Sequence, residues 1–172
     1  MSPGPVPKRY APERTFPPYT YSPGRAPHPT QDPAGHSHGR ENAPRAAHFA
    51  RERWRENSDY LLGVDLYNHG FLWEAHEAWE GIWHAARGDE RQASFLQGLI
   101  QCTAAALKLS MEQPRGARRL GVMGAARLRS ALRQDEPSFM GLGARAFAAA
   151  FLGFVNDETA DAEERPRIVL AD

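Results

Sequence analysis

The residues best suited to chemistry lie on one short stretch, from Trp73 to His84, which concentrates carboxylates, imidazoles and indoles. Each residue of an α-helix turns by about 100 degrees, so four polar members of this stretch share an arc of roughly 100 degrees beside an apolar stripe. They are His76, Glu77, Glu80 and His84. An imidazole and a carboxylate four residues apart can bind one divalent ion, and helical bundles build metal sites from such pairs. The spacing therefore predicts a divalent metal site with His76 and Glu80 as ligands.

Two further residues of this stretch have open roles. His84, one turn beyond Glu80, is a candidate third ligand, and Glu77 is a candidate ligand or a general base for a water molecule. The motif reads H-E-x-x-E, whereas zinc peptidases use H-E-x-x-H, so the pattern disfavours a zinc peptidase. A carboxylate-rich site suits manganese or iron, or magnesium if few histidines bind. Ligands from other helices are expected to complete the site.

A second group of polar residues follows on the next predicted helix. Gln97, Gln101 and Lys108 recur at spacings of four and seven, so they lie on one side and can face the metal-site helix. If Lys108 pairs with Glu77 or Glu80, the cluster needs no metal and becomes a structural ion-pair network. The sequence leaves both interpretations open.

The elements that position these residues are helices. Tyr60, Val64 and Tyr67 repeat at spacings of four and three, which indicates a first helix ending at the turn 68–71, where Gly70 can adopt a left-handed backbone. Strand alternation, a glycine-rich phosphate loop and internal repeats do not appear in the sequence, so the predicted fold class is all-α. Four more helices are predicted: at about 71–87, from a cap at Asp89 to about Met111, from Pro114, and after Pro137.

The third predicted helix combines a broad apolar face with a strip of small residues at Gly98, Cys102 and Ala105. A helix that can be approached closely on one side and is apolar on the next is expected to lie centrally. The single cysteine excludes an intramolecular disulfide, and its apolar surroundings predict a small buried side chain.

The N-terminal quarter of the chain differs in composition. Residues 1–45 hold 11 of the 14 prolines and few aliphatic side chains, a composition that buries too little surface to offset the entropy of ordering. We predict a disordered proline-rich tail at 1–45 and a single helical domain at 46–172, a compact array of about five helices. The histidines of the tail are interpreted as bystanders: His28, His36 and His38.

Charge and hydropathy argue against a nucleic-acid-binding protein and a membrane protein. The chain has 21 basic and 21 acidic residues, so no net charge attracts nucleic acid or an anionic membrane, and neither partner is expected. No apolar run approaches the roughly 18 residues that span a bilayer, and the first residues lack an apolar signal core, so we expect a cytoplasmic protein. The tryptophan content is compatible with a homodimer.

Two strings of the chain resemble the signature of a bacterial and plastid family, the domain-of-unknown-function family numbered 309: LYNHGFLWEAHEAWE at 66–80 and FLQGLIQ at 95–101. The resemblance covers about residues 58–133, and the ending PRIVL at 166–170 is also similar to that family. It implies a compact helical domain, and some relatives are labelled predicted metal-dependent hydrolase. On the family pattern the turn maps to Asn68 and Gly70, the acidic histidine motif to Glu74, His76, Glu77 and Glu80, and the glutamine helix to Gln97 and Gln101.

These observations lead to two functional hypotheses. In the first, His76 and Glu80 hold a divalent metal ion and Glu77 takes a proton from water, which attacks an ester, amide or phosphoester of an unknown small-molecule substrate. In the second, the chain is a non-catalytic interaction or scaffold protein, and the same residues form an ion-pair network. The direction of Lys108 distinguishes the two, because an ammonium among the carboxylates leaves little need for a cation.

Overall fold

The computed structural model describes residues 6–39 and 48–172 of the chain. The described part is helical, which confirms the all-α fold class, and its only β pairing consists of isolated bridges that involve Leu142. Three short 3-10 turns accompany the helices, at Arg51–Glu56, Ala86–Gly88 and Ala162–Glu164. The five α-helices are α1, Ser58–Asn68; α2, Leu72–Ala85; α3, Glu90–Ser110; α4, Pro114–Ala131; and α5, Ala144–Asn156.

The predicted helix ends of α1, α3 and α4 are confirmed. After α1, Gly70 has a φ of +87°, and the Phe71 amide donates to the Leu66 carbonyl oxygen at 2.9 Å, the pattern of a Schellman turn. The Asp89 side chain caps α3 by accepting from the amides of Arg91 and Gln92. Pro114 is the first residue of α4, where its missing amide proton costs no hydrogen bond.

The fifth helix begins later than the position after Pro137 that the sequence predicts. Residues 139–142 form a turn in which Met140 and Gly141 have φ angles of +46° and +80°, values that an α-helix cannot contain. Phe139 and Leu142 point into the core from this turn. The burial of Phe139 and Leu142 stabilises this turn, which occupies the positions predicted for the first turns of the helix.

The predicted central position of the third helix is consistent with the packing, because α3 lies between α2 and α4, while α1 packs on α2 and α5 on α4. The α3/α4 contact is close at Gly98, where an added Cβ would lie 3.0 Å from the Gly124 carbonyl oxygen. Cys102 is buried beside it. The predicted strip of small residues is thus the contact surface for α4.

The N-terminal segment 6–39 contains no helix or strand, in keeping with its proline content. It nevertheless lies against the helices, and Ala11 is only 2 % exposed. The composition did not indicate this attachment, because it depends on a few side chains such as Arg9 that pair with residues far along the chain. The predicted tail residues 1–5 and 40–45, and the predicted domain boundary at 46, lie outside the described residues.

The end of the chain packs on α1. Ile168 and Leu170 are buried while Val169 is 71 % exposed, so alternate residues face the core. None of the helices in the described ranges is long and apolar enough to cross a membrane.

Candidate metal-binding site

Helix α2 follows α1 after only three residues, and its buried stripe orients the polar face. Leu72, Ala75, Trp79 and Ile82 are buried, and the Trp79 indole nitrogen donates to the Tyr60 carbonyl oxygen at 3.2 Å. This contact anchors α2 on α1. The neighbouring face of α2 carries His76, Glu77, Glu80 and His84, which are half-buried or exposed.

Three of the predicted site residues come together on that face. His76 Nδ1 lies 3.4 Å from Glu77 Oε1 and 3.9 Å from Glu80 Oε2. One donor atom from each of the three side chains lies within 4.8 Å of the other two. The side chains are 29 %, 46 % and 42 % exposed, in the order His76, Glu77, Glu80. We call this group the α2 cluster.

The donors of the α2 cluster fit a divalent ion. Ligand atoms bound to a common zinc ion at about 2.1 Å lie about 3 to 3.5 Å apart, so small side-chain rotations bring these atoms into place. One imidazole and two carboxylates suit zinc, manganese or iron better than calcium. His76 and Glu80 would approach an ion from one side, with Glu77 beside them, which leaves other coordination positions open to water or substrate.

His84, the predicted third ligand, is not brought into the α2 cluster. It is exposed, and its Nδ1 lies 3.1 Å from the Arg87 guanidinium. His84 lies eight positions after His76, which corresponds to about 12 Å along the helix axis. That separation exceeds what a single ion can bridge from one straight helix.

Lys108 does not point into the α2 cluster. Its ammonium donates to Gln113 Oε1 at 2.8 Å, in the turn that ends α3. In the ranges that the structure describes, the ion pairs of Glu77 and Glu80 involve His76 alone. The ion-pair network therefore lacks the cation on which that interpretation depended.

Glu74, predicted as a binding residue, faces the N-terminal segment instead. It is 6 % exposed, and its Oε1 accepts from the Tyr21 amide at 2.7 Å. His36 Nε2 lies 3.5 Å from the same oxygen, so one of the histidines interpreted as bystanders contacts the helical domain. Burial raises the pKa of the Glu74 carboxyl, and hydrogen bonds to its charged form partly oppose this shift.

The remaining predicted site residues, Asn68, Gln97 and Gln101, lie outside the α2 cluster. Asn68 is buried and forms two hydrogen bonds with the backbone of Ile168. Its side-chain Nδ2 donates to the Ile168 carbonyl oxygen, and its Oδ1 accepts from the Ile168 amide, both at 2.8 Å. Gln97 and Gln101 are half-buried on α3. The Gln101 Oε1 is buried and has no hydrogen-bond partner among the described residues.

Sequence reasoning missed Asp65. This carboxylate is fully buried and accepts from Arg9 Nε at 2.8 Å and from the amides of Tyr10 and Ala11 at 2.7 and 2.9 Å. An acidic residue between Val64 and Leu66, on a helix whose neighbouring positions are apolar, was the available signal. Asp65 joins the N-terminal segment to α1.

Part of the chain matches a known family model. Residues 60–120 match the model of a family described as Domain of unknown function (DUF309), which confirms the resemblance found in the sequence. The matched part runs from α1 to the first turns of α4 and includes the α2 cluster. No curated protein matches the chain. No solved structure matches it either.

Proposed function

We propose that this protein binds a divalent metal ion at the α2 cluster and uses it for hydrolysis. The observation that supports the proposal is the convergence of one imidazole and two carboxylates within 4.8 Å on an accessible helix face. Structural ion pairs account less well for the cluster, since the one lysine predicted to join it bonds elsewhere.

The three side chains take different roles in this proposal. His76 and Glu80 hold the ion. When bound, a divalent ion supplies Lewis-acid polarisation of an ester, amide or phosphoester. Glu77 is the most exposed of the three, and we assign it to accept the proton of the attacking water. The exposed face admits a substrate without a change of fold.

The first test is the metal content of the untagged protein, purified without chelator, reconstituted with manganese, iron(II) or zinc, and measured by mass spectrometry. We expect about one ion per chain in the wild type and loss of that ion in His76→Ala, because the only imidazole of the site is removed. His84→Ala is the matched control on the same helix and should keep the ion. No ion in the reconstituted wild type, or equal content in His76→Ala, would overturn the proposal.

The second test separates metal binding from hydrolysis. Glu77→Gln should retain the ion and lose most turnover of 4-nitrophenyl acetate or 4-nitrophenyl phosphate, since an amide cannot accept the proton. General-base groups contribute about 100-fold to 10,000-fold in rate. Unchanged turnover in a metal-loaded Glu77→Gln protein would remove Glu77 from this role.

A further inference from the structure

A cavity of about 610 Å³ lies apart from the α2 cluster, between the N-terminal segment, the α1/α2 turn and the end of the chain. Its volume is in the range of small-molecule sites. None of the three residues of the α2 cluster lines it. The lining side chains that carry polar or charged groups include Thr20, Ser22, Arg25, His69, Arg165 and Arg167.

The charge of the lining is predominantly positive. Among the described residues, three arginines and one carboxylate, that of Glu163, line the cavity. Arg25 comes from the N-terminal segment, whereas Arg165 and Arg167 lie about 140 positions later in the chain. The guanidinium groups of Arg25 and Arg165, lining one cavity, favour an anionic ligand there.

Arg165 is a partly buried cation that makes no ion pair within 4 Å with the described residues. Its guanidinium nitrogens donate to neutral carbonyl oxygens, those of Tyr67 at 2.7 and 3.2 Å and Ala162 at 3.0 Å. Burial lowers the pKa of Arg165, and the neighbouring Tyr67 and Glu163 oppose this shift only in part. A desolvated guanidinium of this kind is stabilised by an oxyanion.

Arg25 lines the cavity from the N-terminal segment. It ends a tight turn in which its amide donates to the Ser22 carbonyl oxygen at 3.0 Å. Its side chain is exposed and makes no hydrogen bond or ion pair with the described residues. The guanidinium can therefore close on a ligand without giving up another contact.

We infer that this cavity binds a small dianionic oxyanion, a phosphate ester or a dicarboxylate, between Arg25 and Arg165. Arginine guanidinium groups recognise both by paired, nearly parallel hydrogen bonds. The Ser22 hydroxyl also lines the cavity and can supply a further donor, whereas the Thr20 hydroxyl already donates to the Gly70 carbonyl oxygen. The site is independent of a metal ion in the α2 cluster.

Calorimetric titration of the full chain tests the inference, in metal-free buffer of low ionic strength, with inorganic phosphate, pyrophosphate and succinate as probes. We expect saturable binding of one probe per chain, weakened at least tenfold in Arg25→Gln. Arg129→Gln is the matched control, because Arg129 is an exposed arginine on α4 outside the cavity. Tighter binding of the phosphates would assign a phosphate ester, and tighter binding of succinate a dicarboxylate.

Two outcomes would overturn the inference: no binding of any probe, or equal affinity in Arg25→Gln and the wild type. Arg165→Gln also removes hydrogen bonds to the end of α1, so its helical content is checked by circular dichroism before titration. His76→Ala should bind the probes normally. This last result separates a failure of the anion site from a failure of the metal proposal.

Discussion

Two acidic side chains of α1 and α2 are buried, and two others on α2 are nearly half exposed. Asp65 and Glu74 are buried, and each is compensated by backbone amides of the N-terminal segment, as a carboxylate removed from water requires. Glu77 and Glu80 are nearly half exposed, and among the described residues their ion pairs are with one imidazole, that of His76. The exposed pair therefore retains lone pairs for a ligand, while the buried pair holds the chain together.

Gly70 lies in the turn between α1 and α2, and its backbone conformation affects the stability of the fold. Its φ of +87° costs about 1 to 2 kcal/mol for a residue with a Cβ. We expect Gly70→Ala to lower the free energy of unfolding by about that amount, measured by urea denaturation.

The matched control is Gly88→Ala, at the end of the turn after α2, where an added Cβ meets nothing within 4 Å and the backbone has an ordinary φ. This variant should be nearly neutral. Equal losses in both variants would mean that the left-handed backbone at Gly70 is not what stabilises the turn.

At the scale of elements, the crossing of α3 and α4 depends on two glycines that face each other. An added Cβ at Gly98 would lie 2.8 Å from Leu128 Cγ, and one at Gly124 would lie 2.7 Å from Cys102 Sγ. Both contacts are too short for carbon. The helices must therefore move apart or shift a buried side chain when either glycine gains a methyl group.

Gly98→Ala is expected to destabilise the fold by about 1 to 3 kcal/mol, the usual range for overpacking a buried contact. Chemical denaturation followed by circular dichroism measures the change. Gly153→Ala on α5 is the control, because an added Cβ there meets open space. Alanine has the higher helix propensity, so this variant should be more stable than the wild type by up to about 1 kcal/mol. A stabilised Gly98→Ala would show that α3 and α4 separate without cost.

At the scale of the whole molecule, the N-terminal segment is joined to the helices at two buried carboxylates. The stronger contact is that of Arg9 with Asp65, whose side chains are 26 % and 0 % exposed. Removing one partner of such a pair leaves a buried charge and is strongly destabilising. The segment and the helical domain should therefore lose stability together.

Arg9→Met should be cleaved by chymotrypsin within residues 6–39 several times faster than the wild type, and its free energy of unfolding should fall by about 2 kcal/mol or more. Arg14→Met is the matched control. Arg14 pairs with Asp59 on the surface, with side chains 39 % and 49 % exposed, and such pairs contribute about 0 to 1 kcal/mol. Equal cleavage rates in the two variants would contradict the anchoring role of Asp65.

Local spacing determined much of this protein from the sequence alone. Helix ends follow from nearby residues, such as Gly70, Asp89 and Pro114, because capping involves atoms only a few positions apart. The convergence of His76, Glu77 and Glu80 follows from the same regularity, since positions i, i+1 and i+4 lie within about 6 Å along a helix axis.

Tertiary structure alone decided which distant side chains meet. Lys108 bonds with Gln113 rather than with α2, Glu74 contacts a segment about 50 residues earlier, and Arg25 shares a cavity with Arg165. Helical periodicity specifies the face on which a residue lies but not the element that covers that face. Which element covers a helix face depends on how the whole chain packs. For the same reason, the proline-rich composition of the N-terminal segment did not predict the ion pair between Arg9 and the buried Asp65.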